Sequence, residues 1–192
     1  WGEYIDDEEV DVITEFERLT GCDVNYTTFE SNENMYSKLS GGGVSYDIII
    51  PSDYMVERLI SEDMLLPLDY NNIPNYDKYF DKDKYGDLVD NGISDYCVIY
   101  NVGSTILVYN TKYVKEKPTS WKVLWDEQYK GKILMFNNPR DSFAIAQFIL
   151  GQSINTTEKE DWDAAAALLL EQRQKVKPEY VMDEVFIKME SG

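Results

Sequence analysis

The chain contains no histidine. A histidine-based catalytic triad, a histidine-ligated zinc and an imidazole acid or base are therefore excluded. Cysteine is scarce, with only Cys22 and Cys97, and the two form no metal-ligand spacing. Cys22 falls in a turn and Cys97 in a strand-like stretch, so two free thiols are expected rather than a disulfide. Positive charge is also scarce: 18 Lys and Arg stand against 36 Asp and Glu, a net charge of -18. Nucleic acid needs basic patches to meet its phosphates, so a nucleic-acid partner is not expected. The same charge attracts cations at long range, and it also serves plain solubility. No apolar run approaches the roughly 18 residues of a membrane span. Internal repeats and low-complexity segments are lacking too.

What is present suits a folded chain. Hydrophobic residues make up 43% of the 192, enough for one large domain or two small lobes. The first residue is Trp, with no basic leader before it. A cytoplasmic chain and an exported chain whose leader has been removed both fit this.

Helical and extended patterns alternate. Val10, Ile13 and Phe16 recur at helical spacing, and Gly21 stops that helix. "DVNYTTF" alternates as a strand does. "SNENMYSKLSGGG" reads as a helix capped by Ser31 or Asn32 and ended by three glycines. "YDIIIPS" suits a parallel strand buried on both faces, followed by the helix "DYMVERLISEDML". Residues 67–95 have no clear period and read as a long surface connection. "YCVIYNVGSTILVYN" gives two strand-like stretches around Asn101–Ser104, with Gly103 able to relieve the backbone there. A second unit follows: a short helix "WKVLWDEQY" capped by Ser120, a buried strand "KILMF", and the helix "NNPRDSFAIAQFILG". A longer Ala- and Leu-rich helix, capped near Asn155 or Thr156, comes last. This order predicts an α/β fold with a parallel sheet.

Two loops carry the polar chemistry. "IIIPSDY" and "LMFNNPRDSF" each take an apolar strand into a polar turn that starts a helix. In α/β sheets ligands bind beyond the carboxyl ends of parallel strands. Ordinary capping explains the same residues. Asn138 before Pro139 is an N-cap, Asp141 falls three residues on, close to a capping box, and Ser52 or Asp53 caps the other helix. The two roles are compatible. The opening "WGEYID" sets aromatic rings beside an acid, which suits a bound cation and equally suits a core edge.

"WGEYID", "YTTFESNENMYSKL", "YDIIIPSDYMVERL", "VGSTILVYN" and "TSWKVLWDEQYKGKILMFNNPRDSF" run in the same order as in the spermidine/putrescine-binding proteins of ABC transporters, and the chain resembles that family along nearly its whole length. The resemblance implies a type II periplasmic-binding-protein fold. Two α/β lobes, 1–102 and 106–192, would join at a hinge near 102–105 and close on a polyamine in the cleft between them. It places Trp1, Glu3 and Tyr4 as one wall of the ligand, Ser52 and Tyr54 from the first loop, and Asn138 and Asp141 from the second. Asn138 stands where a carboxylate is often found, which implies a weaker ammonium site.

The resemblance also implies a binding protein rather than an enzyme, with no cofactor or metal. Its ligand would be putrescine or spermidine and its partner an ABC permease. A monomer outside the cytoplasm is expected, and a lipid anchor is compatible with that. The family has a strand before "WGEY" and a long part after "KMESG", so the chain is expected to be truncated at both ends. Competing readings keep the fold with ferric iron, an anion or a sugar as ligand, or make Glu3 and Asp141 the carboxylate pair of a hydrolase.

Overall fold

The computed structural model describes residue 5, residues 11–89 and residues 92–191. Its backbone divides into two compact units, the first ending at Gly103 and the second beginning at Ser104.

In the first unit, helix α1 (Val12–Thr20) begins where the Asp11 carboxylate accepts the Thr14 N–H at 2.9 Å. It ends at Gly21, whose φ of 73° is a left-handed C-cap that favours glycine. None of its residues is buried. Helix α2 (Asn32–Ser40) is capped by Ser31, whose hydroxyl accepts the Asn34 N–H at 3.1 Å. Of the two cap candidates, Ser31 therefore fills the position, and Asn32 is the first helical residue. Helix α3 (Asp53–Ser61) buries Met55, Val56 and Leu59. Met35 of α2 joins Met55 and Leu59 to form the core of this unit, with Phe29, Leu39 and Ile49 packed around it.

Residues 67–95, expected as a long surface connection with no clear period, contain a 3₁₀ turn at Tyr70–Asn72 and helices α4 (Tyr76–Tyr79) and α5 (Lys82–Val89). Aromatic packing supplies the order that periodicity did not signal. The Tyr70 and Tyr76 rings lie 4.7 Å apart and those of Tyr76 and Phe80 4.9 Å apart. The Tyr70 hydroxyl donates to the Ser94 carbonyl at 2.5 Å, tying the two ends of the segment together.

The second unit opens with 3₁₀ turns at Trp121–Trp125 and Glu127–Tyr129, where a single short helix was expected. Strand β1 (Leu134–Phe136) leads into helix α6 (Pro139–Leu150) and then helix α7 (Lys159–Lys175). Strand β2 (Glu179–Val181) pairs parallel to β1, with Met135 opposite Tyr180. Helix α8 (Val185–Ser191) follows. A parallel pair needs a crossover connection, and α6 with α7 provides it. Ile133, Met135, Ile145 and Val176 form the core, against Trp121, Trp125 and Leu169. Two polar bonds tie α7 to the first turn: Trp125 Nε1–H donates to the Leu168 carbonyl at 3.0 Å, and Gln172 Nε2–H to the Leu124 carbonyl at 2.9 Å.

Several local expectations are corrected. Among the described residues, strands occur only at β1 and β2. The segments "DVNYTTF", "YDIIIPS" and "YCVIYNVGSTILVYN" run outside any ladder. A strand is defined by its neighbour, and β preference without one gives only extended chain. Apolar side chains accordingly remain open: Ile48 is 82% exposed and Ile106 70%. The N-cap of α7 is Glu158 rather than Asn155 or Thr156, although the Thr156 hydroxyl still accepts the Glu158 N–H at 3.1 Å. Cys22 is exposed, Cys97 is half-buried, and both are free thiols. No helix among the described residues is long and apolar enough to cross a membrane.

Candidate functional site

Ser52 and Tyr54 lie at the start of α3, and the N-terminus of α2 meets them there. Ser52 holds the N-cap position of α3 but makes no side-chain cap bond. Its hydroxyl instead accepts from Asn32 Nδ2 at 3.0 Å, while its backbone N–H donates to Asn32 Oδ1 at 3.1 Å. Asn32 Nδ2 also donates to the Tyr54 hydroxyl at 2.9 Å. That hydroxyl in turn donates a hydrogen bond to Glu33 Oε1, again at 2.9 Å. Asn32 is only 3% exposed, so a buried amide stitches the two helix starts together. Glu33 Oε2 is buried and has no hydrogen-bond partner among the described residues. The carboxylate stands in the first turn of α2, where the positive end of the helix dipole favours it.

In the second unit, Asn138 follows β1 and caps α6. Its Oδ1 accepts the Arg140 N–H at 3.0 Å, and the residue is 3% exposed. Pro139 fills the first helical position, where its missing N–H costs nothing. Asp141 stands in the first turn of α6, half-buried, and its Oδ1 accepts the Thr105 hydroxyl proton at 3.0 Å. The bond in place of the expected capping-box contact therefore comes from a distant loop. Ser142 anchors the same turn by donating to the Phe136 carbonyl at 2.6 Å. Arg140 points its guanidinium to Asn155 Oδ1 at 2.9 Å.

The structure thus joins Ser52 to Tyr54 in the first unit and sets Asn138 and Asp141 on one helical turn in the second. Trp1, Glu3 and Tyr4 lie outside the described residues. Reading the sequence did not select Asn32, Glu33 or Thr105 as site residues. Asn32 entered only as a possible cap, and the adjacent Glu33 carried no separate signal. An open apolar hollow lined by Ile73, Tyr76, Tyr79, Phe80 and Val98 holds none of the predicted residues. Ser52 and Tyr54 bring hydroxyl groups, which both donate and accept, and Asp141 brings a carboxylate, which accepts.

Comparison with known proteins decides the family. Residues 45–192 match the model of the bacterial extracellular solute-binding proteins. The chain belongs to this family. Its relatives include the spermidine/putrescine-binding periplasmic protein of Escherichia coli, 35% identical over 167 residues, covering 86% of this chain and 47% of that protein. The putrescine/cadaverine-binding protein of Pseudomonas aeruginosa is 32% identical over 181 residues, covering 88% of this chain and 49% of its own length. Among solved structures, a Listeria monocytogenes protein provisionally assigned to a spermidine/putrescine ABC transporter superposes with a TM-score of 0.87 at 35% identity. It covers 98% of this chain and 57% of that one. The substrate-binding protein PotD of a Streptococcus pneumoniae spermidine/putrescine ABC transporter gives 0.69 at 33% identity, over 98% and 57% of the two chains. The chain spans about half the length of the relatives it matches.

Proposed function

We propose that the chain gathers a polyamine, putrescine or spermidine, for an ABC uptake system and performs no catalysis. The observation that carries this reading is the 35% identity to a spermidine/putrescine-binding protein over 86% of the chain. The residue chemistry supports it. A protonated polyamine alternates ammonium groups with apolar methylene spacers. The ammonium groups fit carboxylates and hydroxyl oxygens, and the spacers fit aromatic faces, with cation–π attraction of about 0.5–2 kcal/mol each. Ser52 and Tyr54 from the first unit, with Asn138 and Asp141 from the second, are the proposed ligand contacts. Trp1, Glu3 and Tyr4 are added to them on the strength of the resemblance alone.

The net charge of -18 attracts a polycation before contact. The proposal also takes the hinge near residues 102–105, a permease as partner, a monomeric state and a place outside the cytoplasm, in keeping with relatives named as periplasmic. Calorimetric titration of the protein with putrescine, spermidine, ferric ion and a sugar panel tests the reading. Saturable heat is expected with the amines alone. A protein silent to both amines, or one that saturates with ferric ion or a sugar instead, does not have this function.

A further inference from the structure

The backbone at the start of α6 is fixed on both sides of Asp141. Asn138 Oδ1 accepts the Arg140 N–H at 3.0 Å, Pro139 occupies the first helical position with its locked φ, and the Ser142 hydroxyl donates to the Phe136 carbonyl at 2.6 Å. These contacts place the Cα of Asp141 and leave its side-chain torsion open. Inside a helix the preceding turn disfavours one of the three staggered χ1 wells. The first turn has no turn before it, so all three wells are accessible to Asp141. An ionised carboxylate can only accept, so the Thr105 hydroxyl donates the 3.0 Å bond that reaches Asp141 Oδ1. Thr105 is β-branched and therefore stiff at its own χ1, which makes its hydroxyl a firm anchor. It stands 36 residues from Asp141, next to Ser104 where the second unit begins, so helix geometry does not dictate the meeting.

We propose that Thr105 is a positioning residue that holds the Asp141 carboxylate in one rotamer, ready for an ammonium group. The inference rests on the polyamine reading, in which Asp141 meets the ligand, and adds the residue that prepares it. A carboxylate has about four acceptor sites, so the bond from Thr105 uses one and orients the others. Binding then need not order the Asp141 side chain, and that cost is removed from association. One χ1 well held in place of three is worth about three-fold in affinity. Thr105 is exposed, so water replaces the bond when the hydroxyl is removed, and stability changes little. The contact therefore matters for the direction of the carboxylate and hardly at all for folding.

Two substitutions separate the donor from the shape. Thr105→Val keeps the branched side chain and removes the hydroxyl, whereas Thr105→Ser keeps the hydroxyl. Scalar couplings across the Asp141 Cα–Cβ bond, read by NMR on the ligand-free protein, should report one rotamer in the wild type and in Thr105→Ser, and an average in Thr105→Val. Calorimetry with putrescine should show about a three-fold loss of affinity in Thr105→Val, most of it recovered in Thr105→Ser. Thermal midpoints of both variants should stay within about 2 °C of the wild type, as for other surface substitutions. An averaged Asp141 rotamer in the wild type, a loss of affinity without rotamer averaging, a loss that Thr105→Ser does not recover, or a midpoint that falls along with the affinity would each overturn the inference. A wild-type protein that binds no amine overturns the polyamine reading and this inference together. A wild-type protein that binds putrescine no better than Thr105→Val does overturns this inference alone.

Discussion

At the scale of single residues, the two polar loops do different jobs. Asn138 is buried and spends its amide oxygen on the start of α6. Removing that oxygen in Asn138→Ala should cost about 1 kcal/mol of stability, within the usual range for N-caps. Asn138→Asp, which keeps an acceptor, should cost less. Denaturant unfolding checks this, and equal midpoints for wild type and Asn138→Ala would deny the cap its role. Asp141 is half-buried and accepts a hydrogen bond from the Thr105 hydroxyl across a gap of sequence. Asp141→Asn keeps an acceptor for Thr105 but removes the charge. Under the polyamine reading it should weaken putrescine binding by about 1.5–3 kcal/mol, the scale of a charge-assisted hydrogen bond. Superimposable titration curves for the two proteins would remove Asp141 from the ligand. The role of Asn138 as a cap was readable from "NNPRD", because an N-cap and its target lie within three residues. The Thr105 contact was not, because no local rule links it to Asp141.

At the scale of elements, α2 and α3 form the best-defined packing of the first unit. Leu59 is fully buried and shares one core with Met35 and Met55. Leu59→Ala should cost about 2–5 kcal/mol, lowering the unfolding midpoint without changing the slope in denaturant. A loss under about 1 kcal/mol, half the lower bound of that range, would mean the site collapses freely. Outside this core, a three-residue clip joins the same two helices. The Tyr36 hydroxyl donates to Glu62 Oε2 at 2.7 Å, the Arg58 guanidinium meets Glu62 Oε1 at 3.0 Å, and Arg58 lies 3.7 Å over the Tyr36 ring. The Tyr36 hydroxyl first, and then Arg58, hold the Glu62 carboxyl below its usual value. A depressed folded value stabilises above the unfolded one, about 4.3 for Glu, and the gain disappears as pH falls through the folded value. The acid limb of the stability curve should therefore be shallower in Glu62→Gln than in wild type. Thermal midpoints between neutral pH and about pH 3 test this around the Glu reference value, and parallel curves would contradict it.

At the scale of the whole molecule, charge dominates. A net charge of -18 on 192 residues creates a field that a polycationic ligand meets before contact. Putrescine association should slow and weaken as salt rises from low to physiological strength, where the Debye length shrinks to about 8 Å. Binding that is indifferent to salt would show that the ligand is neutral or that only buried pairs hold it. The division of the backbone between Gly103 and Ser104 gives two units, each with its own small core, and the family match spans residues of both.

The sequence by itself determined what depends on neighbours a few residues away. The end of α1 follows from Gly21 and the start of α6 from Asn138 and Pro139, because caps act within a turn, whereas the Asp11 cap of α1 was not read from the sequence. Helix α3 was anticipated at "DYMVERLISEDML", and the composition alone set the charge. Tertiary structure decided the rest. The parallel partner of β1 lies beyond two helices, so β2 was not anticipated. The apolar runs at 46–52 and 96–110 looked like strands, yet a strand exists only beside another. The Asn32, Glu33, Ser52 and Tyr54 network arises where two helix starts, 20 residues apart in sequence, come within hydrogen-bond distance. Hydrogen bonds between side chains distant in the chain leave no period or spacing to read, so only the folded molecule could bring Glu33 to Tyr54.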